Sequence, residues 1–174
     1  MQHYCSRCGH WAVLLPHSLI CLPCMNAWTR SRPSSSPPAV LDGCCGAGGA
    51  ARGYASAGFA VWGVDCSARL ERDYLASGAE RFIAADILDV LADRNFLRHF
   101  DFVHVSPPCQ RFSTMSNCRP GLAGTYPDLI SPPRELLLSA GIPFVIENVS
   151  GARPWLVDPV TLCGTMFSKM TYRH

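Results

Sequence analysis

Residues 39–49 read AVLDGCCGAGG, and this stretch decides the fold class. Ala39–Asp42 is a short apolar run ending on an acid, Gly43–Gly49 is a glycine-rich turn, and Ala50–Ser56 carries the small residues of a closely packed helix. A strand entering a helix through such a turn is the first half of a βα unit. The glycines permit a tight turn and let a ligand approach the backbone closely. The turn is not a full dinucleotide fingerprint, and it lacks the Lys-Ser/Thr pair of a phosphate-binding loop.

The same alternation continues downstream. Strands are expected at Phe59–Asp65, Arg81–Ala84, Asp101–Val105 and Pro143–Ile146. Helices are expected over about Ala68–Ser77, over Leu88–Phe96 and from near Ser131 to Ala140, where Pro132 and Pro133 suit a first turn. Gln110–Thr125 is too rich in Ser, Gly and Asn for either regular element, and residues 150–174 are poorly periodic. Five short strands with crossover helices predict an open parallel α/β sheet covered on both faces. Ligands of such sheets sit outside the carboxyl ends of the strands, near the switch in strand order. That rule selects Gly43–Gly49, Asp65, Asp86, Pro107–Gln110 and Glu147-Asn148 as the site.

Upstream the composition changes. Residues 1–30 hold four cysteines, three histidines, two arginines and no acid, and residues 31–38, SRPSSSPP, read as a linker. Cys5, Cys8, Cys21 and Cys24 form CSRC-x12-CLPC, paired knuckles suited to tetrahedral thiolate coordination of a structural zinc. The metal would supply folding energy to a segment too small to fold by apolar burial. Arg7, Arg30 and Arg32 nearby could face a phosphate backbone. The organisation expected is therefore a zinc-ribbon-like head at 1–30, a linker at 31–38 and one catalytic domain at 39–174.

The 174 residues are 48% hydrophobic and 16% charged, which excludes a disordered chain and leaves room for one core domain. Fifteen basic against thirteen acidic residues give a net charge of +2, so no strongly basic chain argues for nucleic acid. No apolar run reaches the length of a membrane span, and no export signal opens the chain. A cytoplasmic, reducing compartment without membrane partners is expected, with the cysteines outside the head as free thiols.

Three strand-end groups could carry chemistry. In Ser106-Pro107-Pro108-Cys109-Gln110, two prolines fix the chain before a cysteine whose thiolate would be a nucleophile. No histidine stands immediately beside it; His104 is one candidate partner, yet on the buried fourth strand it reads as a packed core side chain. In Phe144–Val149, FVIENV, the Glu147 carboxyl and the Asn148 amide follow an apolar strand, where an acid can protonate or hydrogen-bond a substrate ring. Asp65 could accept hydrogen bonds from a ribose diol, and Asp86 could reach an adenine amino group. Together they suggest a nucleoside-bearing cofactor, although either acid alone reads equally as a helix cap or turn residue.

LDGCCGAGG at 41–49, PPCQ at 107–110 with Phe112-Ser113, and ENV at 147–149 together resemble the DNA (cytosine-5-)-methyltransferase family, in the family's order and at compatible separations. The resemblance covers residues 39–174, and the ending through Arg173-His174 looks like short, phage-type members. It implies a Rossmann-like S-adenosylmethionine-dependent methyltransferase core, incomplete at the C-terminus. The Cys45–Gly49 loop (Gly46, Gly48 and Gly49) would hold the methionine and ribose of S-adenosylmethionine. Asp65 would take the ribose hydroxyls, Asp86 would lie near the adenine, and Pro107 would complete the cofactor contacts. Cys109 would add to C6 of a flipped cytosine so that C5 attacks the methyl group, Glu147 would contact N3 and the exocyclic amine, and Asn148 would hold the loop geometry.

Two departures stand out. Cys44 occupies the position where the family usually carries a phenylalanine against the adenine, and no segment is long enough for a target recognition domain. The partners implied are DNA, with RNA an alternative, and a protein or separate chain that supplies target recognition. The setting implied is the cytoplasm of a bacterium or phage-infected host. The alternative function is a shortened, inactive relative that binds DNA or acts as an accessory protein.

Overall fold

A computed structural model describes residues 37–166, with the side chains of 117 and 118 left aside. The expected zinc ligands Cys5, Cys8, Cys21 and Cys24, and the basic ending at Arg173-His174, lie outside the described residues.

Five strands form one wholly parallel sheet: β1 (Ala39–Gly43), β2 (Ala60–Asp65), β3 (Arg81–Ala84), β4 (Phe102–Val105) and β5 (Phe144–Ile146). Their order is β3-β2-β1-β4-β5, so the chain reverses its direction of travel across the sheet between β1 and β4. The central β1 reads Val40 and Leu41 at 0% exposure, as expected of a strand covered on both faces.

Side-chain alternation sorts the two faces. On one, Leu41, Val64, Val103 and Val105 pack with Leu91 from α3 (Ile87–Ala92), Leu97 from α4 (Arg94–Leu97) and Leu137 from α5 (Ser131–Ala140). On the other, Val61 packs with Ala51 of α1 (Gly49–Ser56) and Tyr74 of α2 (Glu71–Leu75). Tyr74 lies so close over Gly63 that a Cβ there would overlap its ring, so β2 needs a glycine at that register. A third cluster, Phe112, Ile130 and Ala152, ties together the segments that follow β4 and β5.

Two expectations change. The helix expected over Leu88–Phe96 is two helices, because Asp93 leaves the helical region (φ −82°, ψ 89°) and its carboxylate caps the Asn95 and Phe96 amides. The polar stretch Gln110–Thr125 contains 3₁₀ turns at Thr114–Cys118 and Leu122–Thr125, and Arg111 donates to the Tyr126 carbonyl at 2.7 Å. α5 starts at Ser131, as the prolines suggest, with Asp128 accepting from the Ile130 and Ser131 amides. No helix among the described residues is long and apolar enough to cross a membrane.

Candidate active site

The carboxyl ends of the strands meet in one cavity of about 490 Å³, within the range of small-molecule sites, about 300–1,000 Å³. Its wall combines apolar groups, among them Val64, Ile87 and Leu129, with Asp65, Asp86, Cys109, Glu147 and Asn148. It spans the reversal between β1 and β4, where an open α/β sheet leaves its crevice.

Each polar group has a local cause for its position. Asp65 ends β2 and splits its carboxylate: Oδ2 accepts from the Gly46 amide at 3.1 Å and Oδ1 from the Ser67 amide at 3.0 Å. The carboxylate therefore braces the glycine turn against the segment after β2; Oδ1 also accepts from the Cys66 thiol at 3.8 Å, and Oδ2 retains acceptor capacity. Asp86 follows β3 and caps α3, its Oδ1 accepting from the Leu88 amide at 2.8 Å. Asn148 bridges two strand ends: its Nδ2 donates to the Pro107 carbonyl at 2.9 Å while its Oδ1 accepts from the Val149 amide at 3.0 Å. The Cys109 carbonyl accepts from the Phe112 and Ser113 amides at 2.9 and 2.8 Å, closing a tight turn behind the thiol. The exposed Glu147 continues the β4–β5 ladder through its amide, which donates to the Val105 carbonyl at 2.9 Å.

The glycine turn meets the cavity differently from the expectation. Cys44 lines the wall at φ 55°, whereas Cys45 turns into the core beside Ala51, Val61 and Tyr74. Gly46, Gly48 and Gly49 are not among the wall residues. Gly48 (φ 87°) is held by packing: a Cβ there would come within 2.6 Å of Ser77 Oγ. Beside Gly46 and Gly49, a Cβ would meet nothing within 4 Å, so the outer edge of the turn is open. Burial, then the charge of Asp65, pushes the Cys44 thiol up to about 12, so this cavity cysteine, one of three with Cys66 and Cys109, stays a neutral thiol.

The cavity thus gathers Asp65, Asp86, Pro107, Cys109, Glu147 and Asn148, and leaves Cys45 and the three glycines beside or behind it. It also gathers Ser106, to which the sequence assigned no role. The signal for it was present: His104 and Ser106 are two residues apart on a buried strand and so share a face. Among the described residues no group of three or more potential metal ligands occurs.

No protein-family model and no curated protein matches the chain. Among solved structures, the chain is similar to an S-adenosylmethionine-dependent methyltransferase from Agrobacterium tumefaciens, with 22% identity, 72% of this chain and 42% of that one covered, and a TM-score of 0.41. A TehB-like S-adenosylmethionine-dependent methyltransferase from Corynebacterium glutamicum matches at 19% identity, over 67% of this chain and 56% of that one, with a TM-score of 0.37. The phosphoethanolamine N-methyltransferase 2 of Haemonchus contortus, in complex with S-adenosyl-L-methionine, matches at 19% identity, over 76% and 29%, with a TM-score of 0.38. The chain spans less than two thirds of the length of each.

Proposed function

We propose that the chain transfers a methyl group from S-adenosylmethionine to C5 of a cytosine in DNA, with Cys109 forming the covalent adduct. The observation that carries this reading is the convergence of Cys109 and Glu147 with Asp65 and Asp86 on one cavity at the strand ends. A nucleophile and a ring-binding acid follow β4 and β5, and acids suited to a nucleoside end β2 and follow β3. The division of the wall matches the two halves of the reaction.

The residues fit the cofactor. The open outer edge of Gly46–Gly49 leaves room for a ligand against the backbone, and Asp65 retains acceptor capacity for ribose hydroxyls. Asp86 keeps one oxygen beyond its capping bond for an adenine amine. When bound, S-adenosylmethionine supplies an electrophilic, sulfonium-activated methyl group.

The chain's own groups do the rest. The Cys109 thiolate adds to C6, which places negative charge on the pyrimidine ring and makes C5 nucleophilic. Glu147 hydrogen-bonds N3 and the exocyclic amine, stabilising that charge as it develops. Asn148 keeps the Pro107 carbonyl and the segment after β5 in register, so nucleophile and acid hold their separation. Transfer of the C5 proton to a water molecule then forms the C5–C6 double bond as sulfur leaves with its electron pair, which restores the aromatic ring. The base must be out of the duplex for C5 and C6 to enter.

The test is transfer of labelled methyl from the cofactor to mixed-sequence duplex DNA, followed by nucleoside analysis of the product. Label is expected in 5-methylcytosine and is expected to fall by roughly three orders of magnitude or more in Cys109→Ala. Absence of label from DNA with the wild-type chain defeats the reading; label in RNA alone replaces the substrate.

The same reading assigns one structural zinc to Cys5, Cys8, Cys21 and Cys24. Mass spectrometry under non-denaturing conditions is expected to find one zinc per chain, lost in Cys5→Ser/Cys8→Ser. A metal-free wild-type chain would remove the assignment.

A further inference from the structure

A line of polar side chains runs through the sheet behind the cavity, and the mechanism above does not use it. Asp42 on β1 and His104 on β4 are register partners in adjacent parallel strands, 1% and 8% exposed. Asp42 Oδ1 faces His104 Nδ1 at 3.7 Å, and His104 Nε2 is hydrogen-bonded to Ser106 Oγ at 3.2 Å. Ser106 is half-buried and forms part of the cavity wall three residues before Cys109. Its backbone is fixed by the amide, which donates to the Gly43 carbonyl at 3.0 Å.

We propose that Asp42, His104 and Ser106 form a proton relay from the cavity wall into the sheet, which takes up the thiol proton of Cys109 as its thiolate forms. The inference rests on Cys109 being the nucleophile of the proposed reaction. Ser106 is the member that meets the cavity; His104 and Asp42 are positioning residues behind it.

One protonation state gives the direction of transfer. Above about pH 7 Asp42 is ionised; with His104 neutral and its Nδ1–H turned to that carboxylate, 3.7 Å away, Nε2 is an acceptor and Ser106 donates to it. The Ser106 oxygen then offers a lone pair to the cavity. As the S–H bond of Cys109 breaks, sulfur keeps the electron pair and its proton passes to Ser106 Oγ, directly or through one water. The proton that Ser106 held forms the N–H bond at His104 Nε2. The products are a thiolate and an imidazolium beside the carboxylate of Asp42; nothing is oxidised or reduced.

Several features support this orientation. Tyr74 of α2 donates to Asp42 Oδ2 at 3.3 Å, leaving Oδ1 toward the imidazole. Tyr54 of α1 packs edge-on against the His104 ring at 5.6 Å between centroids. The titratable groups that interact with Asp42 include these two tyrosines, Cys44 and Cys45 from the turn and Asp65 from β2, while β5 presents Val145 beside His104. Asp65 and Asp86 are engaged in bracing and capping, and His99 precedes β4 and so lies at its opposite end. An imidazole matches a thiol proton near neutral pH better than a solvated carboxylate does.

The experiment is peptide-resolved alkylation of the intact chain by iodoacetamide across pH 5.5–9, without DNA or cofactor. Cys109 is expected to react about tenfold more slowly at pH 8, where Asp42 is ionised, in Ser106→Ala and in His104→Gln, with the midpoint moved to higher pH. Ser106→Thr should restore the wild-type profile, and the exposed Cys66 serves as the internal reference. Identical Cys109 profiles in wild type and Ser106→Ala overturn the relay, as does failure of Ser106→Thr to restore. Histidine ¹⁵N spectra of the wild-type chain provide a check independent of variant folding: His104 Nε2 is expected unprotonated at pH 8, and a protonated Nε2 there also overturns it. A chain that methylates nothing but keeps the Ser106-dependent profile would refute the proposed function and leave the relay standing.

Discussion

Asp42 lies at 1% exposure under Tyr74, and desolvation lifts its carboxyl from 3.8 to about 7 against the opposing Tyr74 hydrogen bond. Between those two values the folded chain holds a proton that the unfolded chain has released. The stabilising contribution of this group is therefore fully present below about pH 4 and is lost as pH rises through 7. Over that interval the loss is on the order of 4 kcal/mol. Urea midpoints measured from pH 4.5 to 8 are expected to fall more steeply for wild type than for Asp42→Asn. Other acids contribute equally to both proteins, so parallel curves would mean that burial of Asp42 does not set its titration. The residue shows why the relay was hard to read in the sequence. Asp42 and His104 are 62 positions apart, and only the β1–β4 register makes them neighbours. Cys109 and Glu147 were legible because each stands at a strand end after an apolar run. Cys45 turns to the core and Cys44 to the cavity because adjacent residues in a turn point in opposite senses. Which of the two faces the cavity depends on the left-handed backbone at Cys44.

At the scale of elements, the turn after each strand has two duties, to end the strand and to present a side chain, and Asp86 separates them. One carboxylate oxygen caps α3, a bond that an asparagine side-chain oxygen can also accept. Asp86→Ala is expected to lower stability by about 1 kcal/mol, whereas Asp86→Asn should leave it within a few tenths. Both should weaken cofactor binding in calorimetry, because both remove the second oxygen from the cavity. If Asp86→Asn binds like wild type, the acid is a cap alone. The strands were legible by element because each is short, apolar and followed by a polar or glycine-rich break. The break between α3 and α4 was not legible: Leu88–Phe96 keeps helical periodicity, and only the capping geometry of Asp93 separates the two helices. The 3₁₀ turns after β4 escaped for a related reason. They are held by contacts such as Arg111 to the Tyr126 carbonyl and Phe112 against Trp155, partners 15 and 43 residues away.

For the whole molecule, the cavity draws on the ends of β2, β3, β4 and β5 and on the turn after β1, so all five strands contribute to it. Binding there should be coupled to folding of the entire sheet. S-adenosylmethionine at 100 times its dissociation constant is expected to stabilise the folded state by about 2.7 kcal/mol. Leu137→Ala tests the same coupling from the far side. Leu137 is 0% exposed on α5 and packs in the main cluster, but it is not part of the cavity wall. The substitution is expected to cost about 2–5 kcal/mol in denaturant unfolding. The ligand-induced increment should nevertheless match that of wild type, because the folded variant presents the same cavity. Unfolding with and without cofactor, in wild type and Leu137→Ala, gives four measurements. An increment lost in the variant would mean that core packing on the α5 face shapes the strand ends themselves. An unchanged increment would identify that face as support for a site whose geometry is set by the turns and by the Asn148 bridge.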